Sequence, residues 1–571
     1  MSVPRSELLA RLTDQIFDTI MAWSPVEASL HGDRRFDAAL PDVSPAGLRN
    51  FAAALERLTV EIARLDDADL SVADKVTRDI AVHVLSQMRH EIDGRYVQFA
   101  AGPTTSGATI SSAASSLLAG LPKLCLADAA AADAYIERCA AVPSYLDAAE
   151  AQLAHGVHSG RIPVRRLVAA TVRQIDRYLS APTGHDPLLL DAPDGWDGAG
   201  AWRQRLASTV TGTVRPAFAR HRTALAERVA PHARSDDQPG LCWLPDGDAI
   251  YRDAVTLHTT TSLAPEDLHQ LGLDLIDDLA GEYRVLGKRV LATDDLGQIF
   301  QRLRDDPALR FTSSADIRDT AVVALARAQA AVGTWFDTLP SAPCEVREIP
   351  LVEAPESTIA YYQPPPLDGS RPGVYYVNTT EPHTRSRFDA EVLAFHESVP
   401  GHHLQIALAI EADLPALQRV VYLTAFVEGW GLYIERLADE MGLYTDDLAR
   451  LGMLSFDSWR ACRLVVDTGI HAFGWSRSRA VDFFREHSPQ PHANVENEID
   501  RYIGWPGQAL AYMVGRTRIA ALRRRAETAL GQDFDIAAFH DAVLAQAAVP
   551  LGTLERLVDD WIATHHSVTA T

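Results

Sequence analysis

The segment His396-Glu397-Ser398-Val399-Pro400-Gly401-His402-His403, with Glu428 placed 25 residues further on in Val427-Glu428-Gly429-Trp430-Gly431, holds the residue types of a hydrolytic metal site. In the compact form of such a site, H-E-x-x-H, two histidines at i and i+4 face one way on a helix. The Glu beside the first serves as general base. Here position 400 is proline, so the compact form is broken. On an unbroken helix, with about 100° and 1.5 Å per residue, His402 would lie roughly 120° around the axis from His396, and His403 would share its face but sit about 10.5 Å along it. Neither could join His396 on one ion, because zinc lies only about 2.0–2.1 Å from its ligand nitrogens. Pro400 has no N–H to give the carbonyl of His396, and Gly401 tolerates unusual dihedrals, so Pro-Gly predicts a bulge in the helix. If that bulge absorbs the two extra residues, His402 returns to the second ligand position, with His403 in reserve.

For the third ligand Glu428 competes with Glu411, Glu435 and Glu440. Glu435 falls on a polar helix face and Glu440 at a helix end, where solvation accounts for them. Glu428 sits between Phe426-Val427 and Gly429-Trp430, and a carboxylate in such an apolar run needs a cation or a hydrogen bond. The expectation is one Zn²⁺ per chain held by His396, His402 and Glu428, with a position left for water. Glu397 would take the proton of the activated water and pass it to the leaving nitrogen.

The stretches HESVPGHHLQ (396–405), FVEGWGLYIERLADEMG (426–442), RACRLVVDTGIHAFGWSR (460–477) and RYIGWPGQALAYMVGR (501–516) resemble the bacterial family catalogued as domain of unknown function 885 (DUF885). Its relatives are placed among gluzincin-like metallopeptidases, and the likeness extends upstream through YRDAVTLHTTTSLAPEDLHQLG (251–272). The resemblance implies a mainly α, multi-helix architecture enclosing a cleft, with a small sheet at its wall. It also implies that a helix far downstream of the ligands supplies the donor for the tetrahedral oxyanion. Tyr502 and Tyr512 are the candidates, with His471 third. Arg460, Arg463 and Arg516 are available to a substrate carboxylate, although Arg on such helices commonly serves in a structural ion pair.

Such a site needs elements to position it. Apolar residues at three- and four-residue spacing predict helices near 5–23, 45–66, 70–93, 128–157, 163–180, 200–229, 265–291 and 314–338. Pro265, followed by Glu266 and Asp267, marks one helix start. The Gly/Ser/Thr-rich stretch 101–119 reads as a loop or as a small-residue helix start. β-Branched and aromatic runs at 345–352, 358–363 and 373–379 predict a small antiparallel sheet beside the metal helix, its last strand an edge open to substrate or else part of a buried hairpin. The metal helix should run from Arg387 to about Glu411, and the helix bearing Glu428 from Leu417 to Met441. Further helices follow near 446–472, 476–487, 493–502, 506–530, 535–547 and 551–565. No linker or repeat isolates a domain. The chain is expected to form one unit of two packed lobes, a helical one over 1–245 and a metal-site lobe over 246–571 that contains the sheet.

With 571 residues, 47% of them hydrophobic and 23% charged, the chain has the composition of an ordinary globular protein with a large core. A net charge of −23 disfavours nucleic acid and anionic lipid as partners. The opening MSVPRSELLARLTDQIF scatters charges where a signal peptide would be apolar, so a cytoplasmic location is expected. The five cysteines are far apart and form no C-x-x-C pair. Cys462, flanked by Arg460 and Arg463, is expected to be a small buried side chain.

The expected activity is hydrolysis of peptide bonds in short peptides, since enclosure by helices would exclude folded proteins. Two rivals are an amidase acting on a specialised metabolite or cell-wall fragment, and a non-catalytic metal- or peptide-binding protein. Glu397 argues against the second, because a binder needs ligands but no base.

Overall fold

The computed structural model describes residues 5–67, 70–103, 111–351, 354, 358–366, 369 and 371–569. Helices form where the apolar spacing predicts them. In Pro45–Ile62 the buried residues Phe51, Leu55, Leu58 and Ile62 recur at steps of three and four, and the Ser44 hydroxyl caps the start by accepting from the Gly47 N–H. Val72–Asp93 is opened by a reciprocal Ser71–Asp74 cap. Pro265 does begin a helix, Pro265–Val290, whose buried stripe includes Leu268, Gly272, Ile276, Leu279, Tyr283 and Leu286. Within 101–119 the helix begins at Ala113 behind the Ser112 cap, while 104–110 lie outside the described residues.

Three helices form the frame of the site. Asp447–His471 is the central one, with every residue from Leu451 to His471 buried. Pro265–Val290 lies along it, and Gly272 sets the approach, since a Cβ there would fall 2.7 Å from Val465 Cγ2 and 2.8 Å from Leu464 Cβ. The helices Thr424–Glu440 and Ala511–Leu530 pack on each other through Gly429 and Gly515: a Cβ on Gly429 would fall 2.5 Å from the Gly515 Cα. Any side chain at either position would push these helices apart.

Apolar packing does not divide at residue 245. One core runs through residues 9–99 and on through the metal-site half, and a second lies within 101–233. The first hundred residues thus share a core with the metal-site half while also packing on the remainder of the expected N-terminal lobe, where Val26 and Leu40 meet the second core and Arg138 donates to the Pro25 and Phe36 carbonyls.

The sheet has strands β1 (Cys344–Glu348), β2 (Ala360–Gln363) and β3 (Gly373–Val377) in the order β1-β3-β2. β2 pairs antiparallel with β3, Ala360 opposite Val377, but β1 pairs parallel with it, Cys344 opposite Gly373. The expected antiparallel sheet is therefore mixed. Its last strand is central rather than an edge, and both its sides are already hydrogen-bonded, so it cannot take a substrate strand. The buried run Gly373-Val374-Tyr375 and the partial cover of β1 and β2 follow from that placement.

The single metal helix expected from Arg387 to Glu411 is two helices, Ala390–Glu397 and His402–Glu411. The chain leaves helical geometry at Ser398 (φ −113°, ψ −120°) and at Gly401 (φ −80°, ψ −128°). A Cβ on Gly401 would collide with the carbonyl oxygens of His396 and Phe395, so the return of the chain across the end of the first helix requires glycine. The helix bearing Glu428 is also shorter than expected. Ala416–Val420 is a separate turn, and Val421-Tyr422-Leu423 break the run before Thr424.

Candidate metal centre

The break between the two short helices brings His402 back to His396. The two imidazole centroids are 4.6 Å apart at 81° to one another, and Glu428 reaches both. Its Oε2 lies 3.6 Å from the Nε2 of His396 and 3.6 Å from the Nε2 of His402. That is beyond hydrogen-bonding distance. It is near the spacing of two tetrahedral ligands each about 2.0–2.1 Å from a common ion, roughly 3.4 Å. One ligand atom from each of the three residues lies within 4.8 Å of the other two, and all three side chains are almost wholly buried.

The surrounding residues fix this arrangement. His396 Nδ1 donates to Glu435 Oε1 at 2.8 Å, which leaves the Nε2 lone pair directed to Glu428. Arg460 Nη2 lies 3.7 Å from the same Glu435 oxygen, with its guanidinium over Phe456 and Trp459. Burial opposes charging His396, but Glu428 and Glu435 outweigh it and push the imidazole up to about 9. Burial likewise disfavours the Glu428 anion, and the two imidazoles more than compensate, holding its carboxyl well below the usual range. Gly431 gives the His396 ring its place, since a Cβ there would lie 2.6 Å from His396 Cε1. The Trp430 indole donates to the Pro400 carbonyl at 3.1 Å and ties the Glu428 helix to the break. The donor set of two imidazoles and one carboxylate, with one imidazole anchored by a second carboxylate, fits zinc.

Glu397 borders the triad. It is half-buried and makes no hydrogen bond or ion pair among the described residues. β3 runs beside it, and after burial the Glu397 charge is the next influence raising the Tyr375 hydroxyl.

The remaining expected site residues divide sharply. His403, the reserve ligand, points away: its Nδ1 accepts from the Tyr362 hydroxyl at 3.0 Å and its Nε2 donates to the Ala342 carbonyl at 3.0 Å. Gly373 makes that bond possible, because a Cβ would sit 2.5 Å from the Tyr362 oxygen. His471 is similarly committed. The Leu241 N–H donates to its Nδ1 at 3.1 Å, and its Nε2 donates to the Tyr502 carbonyl at 3.0 Å. The Tyr502 hydroxyl donates to Glu498 and accepts from Arg463 Nε at 2.8 Å and Trp459 Nε1 at 3.2 Å. Neither Tyr502 nor His471 has a polar atom left for an oxyanion. Tyr512 does, since among the described residues its hydroxyl has only Gln508 Nε2 at 3.5 Å. It lies one turn before Gly515 on the face that meets Gly429, next to Glu428.

Two participants were not expected. Glu435, assigned to a solvated face, is completely buried as the partner of His396. Tyr422 donates its hydroxyl to Glu428 Oε1 at 2.7 Å while remaining 52% exposed, so its ring stands at the rim of the site. Glu440 and Glu411 are not near the triad. Glu440 pairs with Arg523, and Glu411 accepts from the backbone of Ser341 and Ala342. Arg516 pairs with the buried Asp457. Cys462 is a fully buried thiol, raised by burial, and all five cysteines are free.

Fold and site together define a mainly α-helical protein with a buried His-His-Glu cluster and an adjoining free carboxylate. The chain belongs to the family described as "Bacterial protein of unknown function (DUF885)", whose match spans residues 25–558. Its fold is shared with the crystal structure of the "putative lipoprotein from Colwellia psychrerythraea", at 25% identity and a TM-score of 0.89 over 99% of this chain and 100% of the other. A "putative lipoprotein of unknown function from Shewanella oneidensis" is also similar, at 19% identity and a TM-score of 0.78 over 96% of this chain and 99% of the other. A comparison with curated proteins finds no match.

Proposed function

We propose that this protein is a zinc-dependent, gluzincin-like hydrolase that cleaves peptide bonds in short peptides. The observation that carries the reading is the convergence of His396, His402 and Glu428 beside an unengaged Glu397. A zinc ion bound by the triad would supply Lewis-acid activation of a water and of the scissile carbonyl. Glu397 stands free to take a proton from the attacking water and to return it to the leaving nitrogen. Tyr512, beside Glu428 and held only by Gln508 among the described residues, is the hydroxyl placed to donate to a developing oxyanion, and Tyr422 would do so by turning its proton from Glu428. Glu435 and Arg460 hold His396 in the tautomer that presents Nε2.

Purified protein loaded with zinc should bind one ion per chain, read by elemental mass spectrometry, and should shorten members of a mixed peptide pool, read by liquid chromatography and mass spectrometry. Glu397→Gln should keep the ion and lose turnover by about 10³-fold or more. Turnover of small acyl-amides but no peptide would favour the amidase. Equal activity of the variant would remove Glu397 as base, and zinc bound without any turnover would leave a binding protein. The solved relatives are described as lipoproteins, whereas this chain is expected in the cytoplasm, and cell fractionation reads which compartment holds it. Among the described residues, no helix is long and apolar enough to cross a membrane.

A further inference from the structure

Next to Tyr512, away from the triad, two arginines share one carboxylate. Glu498 Oε2 accepts from Arg463 Nη2 at 3.0 Å and from Arg501 Nη2 at 3.0 Å, and Glu498 Oε1 accepts from Arg501 Nε at 3.1 Å. The same Oε2 also takes the Tyr502 hydroxyl and the Trp459 N–H, so five donors share this one carboxylate. Arg501 spends its Nη1 on the Gln508 carbonyl oxygen at 2.9 Å. Arg463 does not: its Nη1 is buried without a hydrogen-bond partner among the described residues, and its side chain is 5% exposed.

The other charged group here does not balance the pair. Asp467 accepts from the Tyr251 hydroxyl at 2.6 Å and from the Gly507 N–H at 3.1 Å, and burial pushes its carboxyl up to about 7, so it carries only part of a charge at neutral pH. Two guanidiniums against one full carboxylate leave a surplus positive charge in a nearly closed place. Natural proteins rarely bury such a charge unless a partner arrives to meet it.

The position of the pair specifies the partner. The Arg463 guanidinium lies over the Tyr512 ring at 4.3 Å, and Tyr512 lies beside Glu428 through the Gly429–Gly515 contact. The cluster is thus one aromatic ring removed from the triad, within the length of a short peptide. We propose that Arg463, supported by Arg501, binds the free α-carboxylate at the C-terminus of the peptide, so that cleavage is counted from that end. This inference rests on the peptidase reading above. A planar guanidinium with a free N–H is the group that suits a carboxylate. Arg516 pairs with Asp457 and Arg460 faces Glu435 beside His396, whereas Arg463 stacks on Tyr512.

The test uses three pools of synthetic pentapeptides: free acids, the same sequences as C-terminal amides, and amides enriched in Asp and Glu. Zinc-loaded protein should shorten the acid pool from its C-terminal end about 10- to 10²-fold faster, in kcat/KM, than either amide pool. Arg463→Gln should erase that preference mainly through KM for the acids, and Arg463→Lys should restore part of it. Equal rates on acids and amides, or internal cuts indifferent to the terminus, would overturn the subsite while leaving the hydrolase intact. Rapid cleavage of the acidic amides would assign the cluster to a side-chain carboxylate and also overturn it. Binding to the Glu397→Gln protein, read by saturation-transfer NMR, separates the two readings. A stronger signal from acids than amides supports the subsite even without turnover, and equal or absent signals from both pools overturn it.

Discussion

Two buried polar networks lie within the C-terminal half, built from similar residues to opposite ends. Around His471 and Tyr502, donors meet acceptors: His471 between the Leu241 N–H and the Tyr502 carbonyl, the Tyr502 hydroxyl among Glu498, Arg463 and Trp459, and Asp467 under Tyr251 and Gly507. Around His396, a carboxylate oxygen instead lies 3.6 Å, beyond a hydrogen bond, from each of two imidazole nitrogens. The first network pairs its histidine, tyrosine and aspartate internally, leaves Arg463 Nη1 without a partner among the described residues, and holds helices together. The second is completed only by something that all three atoms can bind. Burial of polar side chains does not distinguish structure from function here; convergence does.

The adjacent histidines give the sharpest test of that difference. His402 belongs to the converging set, while His403, one residue on, is saturated by Tyr362 and Ala342. His402→Ala should weaken zinc binding by about 10³-fold or more, above the 10- to 10²-fold typical of an outer partner, with little loss of fold. His403→Ala should do the reverse: zinc affinity near wild type, and a stability loss of about 1–2 kcal/mol from two partly buried groups left unpaired. Competition titration with a zinc chelator and thermal melts of the apoproteins read the two quantities. If His403→Ala loses the metal as His402→Ala does, the separation of the networks fails.

The tyrosines give a smaller contrast. Tyr422→Phe removes a hydroxyl that reaches the triad, and should lower kcat about 10²-fold with zinc content unchanged. Tyr502→Phe removes one that does not, and should leave kcat within a few-fold while lowering the melting temperature, because Glu498, Arg463 and Trp459 each lose a partner. Steady-state rates on one peptide substrate for both variants decide it. A kcat loss confined to Tyr502→Phe would make Tyr502 the oxyanion donor.

Much of this division was readable from the chain, and the part that was not has physical causes. The converging triad followed from residue type and helical geometry, because Pro400 forbids one continuous helix and only a break lets His402 rejoin His396. Glu435 was legible in principle: at i+7 from Glu428 it shares the same helix face two turns on, where it meets the far nitrogen of His396. Its surrounding charges, Arg436 and Asp439, disguised it as a solvated position. Tyr422 was not legible. On a continuous helix from Leu417 it would point away from Glu428, and only the break at 421–423 turns it back. Strand identity followed from β-branched and aromatic runs, but strand order did not, since β1 pairs with β3 across 24 intervening residues and composition carries no record of which edge is taken. Tyr502 and His471 looked catalytic for the same reason that they are structural, as polar groups in apolar helices that need partners.

The smallest expected effect concerns Asp467 in the first network and fixes whether that group is charged. Burial pushes Asp467 up to about 7, against hydrogen bonds from Tyr251 and Gly507 and the charge of Arg501, while in the unfolded chain the same carboxyl titrates near about 3.9. Between roughly pH 4 and 7 the folded protein therefore keeps a proton that the unfolded chain has released. Stability from this group falls as pH rises through that window, and is constant below and above it. Asp467→Asn can still accept from Tyr251 and Gly507 but has no proton to lose. Relative to wild type the variant should gain stability between pH 5 and pH 8, by about 1–2 kcal/mol once relaxation of the site is allowed for, out of the roughly 1.4 kcal/mol per pH unit that linkage permits. Melting of both proteins at the two pH values measures it, and because both share the triad, titration of His396 and Glu428 cancels in the difference. A gap between variant and wild type that does not change with pH would mean that Asp467 is ionised throughout. The network would then be an ion pair with Arg501, the surplus positive charge beside Tyr512 would be met from within, and the contrast with the converging triad would narrow.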